Sequence, residues 1–154
     1  MTVIPVPLFL SLLALFLSSI IAFYNGYWLI KRKISWALNL LGISMFISGG
    51  LILSLMWIRT VFGAILNLPQ IDKALYLVVQ GLVGLSFIFI IPYFLHKITN
   101  SNKVAKIGMI ATAVISILFL FFHYTGETLG PFYSAWGTEY KPPMAASLFV
   151  LILL

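Results

Sequence analysis

The chain has 154 residues, of which 62% are hydrophobic and 8% charged, with a mean hydropathy of +1.14. A soluble domain carries about 25% charged residues, so this composition excludes an ordinary water-soluble fold. The net charge of +6 does not point to nucleic acid, because the basic residues sit beside apolar runs, where retention on the cytoplasmic side explains them.

The first expected span runs from about Pro7 to Ile30. Pro5 and Pro7 stand at its start, where a missing N–H costs little. No cation precedes it and Lys31-Arg32-Lys33 follow at once, the reverse of a cleavable signal peptide. The second span runs from about Ile34 to Ile58, with Trp36 and Trp57 at headgroup level. The turn between these two is only the basic cluster, so they form an antiparallel hairpin. Segment 60–71 (TVFGAILNLPQI) is too short to span and is expected to be interfacial or re-entrant, broken at Pro69.

The third span runs from about Asp72, a good N-cap residue, to His96, with Pro92 near its end. A polar, basic loop follows at 97–106. The fourth span runs from about Ile107 to Tyr124. Loop 125–143 (TGETLGPFYSAWGTEYKPP) is rich in Gly, Pro and aromatics. A last apolar run, Met144–Leu154, covers about 16 Å as helix, half a bilayer core of roughly 30 Å. More chain is therefore expected beyond it.

The charges set the expected orientation. Lys31, Arg32, Lys33, Lys97, Lys103 and Lys106 fall in alternate gaps. Arg59, Lys73, Lys141 and the three acids Asp72, Glu127 and Glu139 fall in the others. With the basic gaps inside, the N-terminus lies outside. The expected fold is an all-α integral membrane protein: one domain over residues 1–154, an antiparallel transmembrane helix bundle with four complete spans and a truncated fifth. Its setting is a bacterial or archaeal cytoplasmic membrane.

Helices in lipid associate through small residues that permit close approach. Ser44, Ser48, Gly50, Gly81, Gly84, Gly108, Thr112 and Ser116 are the expected packing positions, a homodimer face being the alternative. Asn25, Asn39 and Gln80 need partners at depth, and the first two are placed to meet across the first hairpin.

No ionisable side chain is expected deep in a span, where ion-coupled carriers place them. There is no phosphate loop, HExxH or GxSxG, so no catalytic motif is visible. The zero cysteine count removes disulfides, thiolate metal sites and cysteine nucleophiles. His96 and His123 end their spans on opposite sides, which excludes bis-histidine haem ligation. His96, beside Lys97, reads as an interfacial cap. Phe122-His123-Tyr124-Thr125-Gly126 resembles one copy of the Met-His-Tyr-Thr motif of the MHYT membrane-sensor family, whose repeated copies are proposed to bind a metal at the outer face. Here there is one copy, and Phe replaces the Met thioether. The cofactor therefore stays unassigned.

The loop supplies a candidate ligand lid: His123, Glu127, Phe132, Tyr133, Trp136, Glu139 and Tyr140. An aromatic belt at the interface is the competing reading. The functional expectation is a multi-span membrane sensor or input module, a layout similar in topology alone to the N-terminal regions of bacterial membrane histidine kinases. The alternative is a small structural or accessory subunit of an energy-transducing or transport complex. A membrane enzyme fragment ranks third. Expected partners are the lipid bilayer and either membrane subunits or a second copy, without nucleic acid.

Overall fold

The computed structural model describes residues 5–134 and 136–153. Four long helices come first: α1 (Val6–Arg32), α2 (Trp36–Ile65), α3 (Pro69–Thr99) and α4 (Asn102–Thr125). A hairpin of β1 (Leu129–Ser134) and β2 (Gly137–Lys141) comes next, then α5 (Met144–Leu153). Leu154, the last residue of the expected fifth run, lies outside the described residues. With 27, 30, 31 and 24 residues, α1 to α4 are long and apolar enough to cross a membrane. Each exceeds the roughly 20 residues that a bilayer core requires.

Local chemistry explains the tight turns at one end of the bundle, here called the basic end. α1 stops at Arg32, and Lys33 takes a left-handed conformation (φ 48°) that returns its N–H to Ile30 O. Ser35 then caps α2 by accepting from Leu38 N. Asn100 repeats the left-handed stop after α3 (φ 48°), and Ser101 caps α4 by accepting from Val104 N. The expected loop 97–106 therefore shrinks to Asn100-Ser101, and α4 starts at Asn102 rather than at Ile107.

α2 differs most from expectation. It continues as helix to Ile65, absorbing half of the segment read as interfacial or re-entrant. No proline interrupts it before Pro69, so the backbone has no reason to stop at Thr60. It contains two π-helical stretches, Phe46–Ile52 and Val61–Ile65. A π turn takes in an extra residue and rotates the helix beyond it. The buried residues of α2 before Leu53 are Ala37, Leu40, Gly42, Ser44, Ile47, Gly50 and Ile52. The chain reverses at Leu66–Leu68, with Asn67 left-handed (φ 53°). Leu68, not Asp72, holds the N-cap position of α3, because Pro69 takes the first helical turn.

The main helix contacts keep to chain order: α1 on α2, α2 on α3, α3 on α4 and α4 on α5. Glycine sets the α1–α2 separation: a Cβ on Gly26 would lie 2.8 Å from Gly42 O. Gly50 lies against Phe23, and Ser44 is fully buried. Ser48 Oγ donates to Ser44 O at 2.7 Å. Between α3 and α4, Ser116 Oγ donates to Gly84 O at 2.9 Å. Thr112 is buried and bonds Gly108 O, while Gly108 receives Leu95 and Gly81 faces Tyr124 Oη. Asn25 is exposed and Asn39 Oδ1 is buried without a hydrogen-bond partner, so the two amides do not meet.

The fold is mostly helical, as expected, and loop 125–143 adds an antiparallel hairpin. Ser134 pairs with Gly137, Tyr133 with Thr138 and Phe132 with Glu139, and the register shifts before Leu129 pairs with Lys141. Gly137, at φ +139°, takes a backbone conformation that a side chain disfavours. The strand pleat then sorts β2: Thr138 and Tyr140 turn inward and are buried, while Glu139 and Lys141 are exposed.

Candidate functional site

The hairpin end holds an ion pair that neither local sequence pattern announces. Arg59 projects from α2 and Asp72 from the first turns of α3; they are 8% and 0% exposed. Arg59 Nε donates to Asp72 Oδ1 at 2.8 Å. Arg59 Nη2 donates to the carbonyl of Thr138 on β2. Tyr140, two residues on, donates its hydroxyl to Asp72 Oδ2 at 3.0 Å. The pleat that turns Thr138 and Tyr140 inward therefore delivers one acceptor to the guanidinium and one donor to the carboxylate.

The packing makes room for this. A Cβ on Gly63, in the second π stretch, would lie 2.7 Å from Asp72 Cγ and 2.8 Å from Thr138 Oγ1. Only a glycine lets the carboxylate and the strand come this close to α2. Tyr76, one turn after Asp72, stacks on Tyr140 with centroids 4.8 Å apart and planes at 26°. The Arg59 guanidinium carbon lies 5.4 and 5.3 Å from the Tyr76 and Tyr140 rings, within cation–π range. Burial, and after it the hydrogen bond to Asp72, push the Tyr140 phenol above its ordinary value of 10.0. Two charges taken out of water are costly unless paired and further hydrogen-bonded, and both conditions are met here.

A cavity of about 230 Å³ opens between α1, α2 and the hairpin. Arg59, Thr60 and Met56 line it from α2, Ser11 and Leu15 from α1, and Trp136 and Glu139 from the hairpin. The site thus has a closed polar core next to an accessible cleft, with Arg59 belonging to both.

The residues expected to form a lid divide into three places. Trp136 and Glu139 line the cavity. Tyr140 and His123 are buried, at 8% and 1% exposure, and both contact the Tyr76 ring. Phe132, Tyr133 and Glu127 are exposed; Lys141 lies over the Phe132 ring, and Tyr133 donates to Asn67 Oδ1 at 3.3 Å. Among the described residues, no three His, Cys, Asp or Glu side chains are placed to hold a metal ion. His123 is surrounded by the rings of Phe119, Tyr76 and Tyr124 instead.

Sequence reasoning missed Arg59, Asp72, Tyr76 and Thr138. It counted Arg59 as a loop charge and Asp72 as a helix cap. The available signal was the pair itself: single opposite charges bracketing a twelve-residue apolar connection. The expectation was that no ionisable group lies deep in a span; Arg59 and Asp72 fall inside α2 and α3, but near their hairpin ends.

The chain matches no family model, no curated protein and no solved structure.

Proposed function

We propose that this chain is a multi-span membrane sensor or input module of a signalling protein, with the hairpin and its cavity as the receiving element. The observation that carries this reading is the buried Arg59–Asp72–Tyr140 network. It ties an exposed hairpin to α2 and α3. A ligand in the cavity touches Arg59 and so acts on both helices. The response would be a small shift of packed helices, which switch between discrete arrangements rather than deform smoothly.

In this reading the hairpin end faces outward and the basic end lies in the cytoplasm of a bacterial or archaeal cell, in keeping with the bias of Lys and Arg. Impermeant maleimide applied to intact cells should label Ser134→Cys and spare Asn102→Cys. The opposite labelling overturns the orientation.

A second reading has one observation in its favour. The main contacts of α1 are all with α2, so its far side is left to lipid, a partner subunit or a second copy. That would suit a small accessory subunit of a transport or energy-transducing complex.

Thermal unfolding of the detergent-solubilised protein against a panel of small amines, carboxylates and zwitterions tests the two. The sensor reading expects at least one compound to raise the midpoint for the wild type, through binding to the folded state alone. That rise should disappear in Trp136→Ala and Thr60→Val. A panel without effect, or an effect indifferent to both variants, favours the accessory subunit.

A further inference from the structure

His123 lies in the last turn of α4 and is 1% exposed. Both of its ring nitrogens are buried without a hydrogen-bond partner. Its surroundings are ring faces: Phe119 at 5.5 Å, Tyr76 at 5.5 Å and Tyr124 at 6.0 Å between centroids. Tyr76 is the shared wall. Its ring meets His123, stacks on Tyr140 of the hairpin and lies 5.4 Å from the Arg59 guanidinium carbon.

The charged and titratable groups around this point come from every neighbouring element. α3 supplies Tyr76 and Asp72, α4 supplies Tyr124, β2 supplies Tyr140 and α2 supplies Arg59. α5, which packs on α4, has no titratable side chain. Asp72 is the acid of the network, and its two oxygens already accept from Arg59 and Tyr140. A neutral imidazole fits this setting as a flat ring among flat rings. An imidazolium has two donors and a full charge. Here it would be a buried cation without an acceptor, which is the costly arrangement for any buried charge.

We propose that His123 is a proton-operated latch on the hairpin. With the ring neutral, Tyr76 and Tyr140 stack and the hairpin stays seated on Arg59 and Asp72. When the ring takes a proton, the seated form has no acceptor for the charge; Tyr76, the ring that His123 shares with the hairpin, shifts to let water in, and the Tyr140 stack that seats the hairpin is lost with it. Acid opens this end of the molecule and neutral pH closes it. Only histidines among ordinary side chains change charge between pH 5 and 7.5. The chain has two, and His96 lies at the basic end, against Trp36. Suppose the opened form titrates like free histidine, near 6.5, and the closed form admits only the neutral ring. The ratio of open to closed then rises about 30-fold from pH 7.5 to pH 5.

The proposal rests on the hairpin being the receiving element, and it is testable without knowing any ligand. The chain has no cysteine, so spin labels on Phe132→Cys and Val78→Cys report one hairpin-to-helix distance. His96→Gln leaves His123 as the single histidine. In that background the ratio of longer- to shorter-distance populations should grow about 30-fold between pH 7.5 and 5. Its midpoint should coincide with the His123 titration read by carbon-13 NMR. His123→Phe keeps a ring and removes the proton site, so its distances should not depend on pH.

Distances that stay constant while His123 titrates overturn the latch, as does acid opening that persists in folded His123→Phe. If that variant does not fold, the His96→Gln measurement alone decides. A pH-independent hairpin with a compound-dependent thermal midpoint removes the latch and keeps the sensor. Acid opening in a protein that answers to no compound keeps the latch and removes the ligand cavity.

Discussion

The two ends of this helix array are held by different physics. At the basic end, neighbouring helices are joined by short turns whose interactions are local. Lys33 and Asn100 stop helices by left-handed turns, and Ser35 and Ser101 start the next ones. At the hairpin end the binding groups come from distant parts of the chain: Arg59 reaches Thr138 across 79 positions and Tyr140 reaches Asp72 across 68. Local caps hold their own turn whatever the rest of the molecule does. The distant network holds only if α2, α3 and the hairpin are all in place, so the hairpin end is cooperative where the basic end is local.

That contrast predicts an order of effects. Asp72→Ala strips the partner from a buried guanidinium and should cost about 3–5 kcal/mol of stability. Chemical unfolding in detergent measures it. Replacing both partners, Arg59→Met with Asp72→Leu, should recover much of that loss while leaving the hairpin less firmly held. A double variant as unstable as Asp72→Ala would mean that the charges are not the cause.

Tyr140→Phe should cost less, about 1–3 kcal/mol, by leaving a buried carboxylate oxygen without its donor. This contribution has a pH signature. The folded state raises the Tyr140 phenol above 10.0, through burial first and the Asp72 hydrogen bond second. A raised value means that folding favours the protonated form. The stabilisation is therefore complete below pH 10 and fades as pH climbs through the raised value. The wild type should lose its advantage over Tyr140→Phe only in that alkaline range.

Ser35→Ala, at the other end, should have the smallest effect, about 1 kcal/mol or less for a partly solvated cap. It should also leave the spin-label distance at the hairpin unchanged. A cap variant that shifts the hairpin would erase the distinction between a local end and a cooperative one.

What was legible in the sequence divides along the same line. The four apolar helices could be read directly, because hydropathy and length are properties of a continuous segment. The small residues Gly50, Gly84, Gly108 and Ser116 stood out for the same reason, and the structure places each at a helix contact. The end of α2 was not legible, because nothing in the local pattern tells a continuing π turn from an interfacial break. The hairpin was only partly legible. Its aromatic and acidic residues were visible, but the pleat decides that Tyr140 points to the ion pair while Glu139 does not.

By itself, the sequence determined the number of long apolar helices, the order in which they occur and the grouping of Lys and Arg in alternate gaps. Each of these depends on residues next to one another. The tertiary structure alone decided that Arg59 pairs with Asp72 and that the strand after Gly137 completes the pair. The physical reason is that a buried charge is tolerable only where its partners converge. Convergence of a helix end, a helix start and a strand residue 79 positions beyond Arg59 is not written in any one stretch of chain.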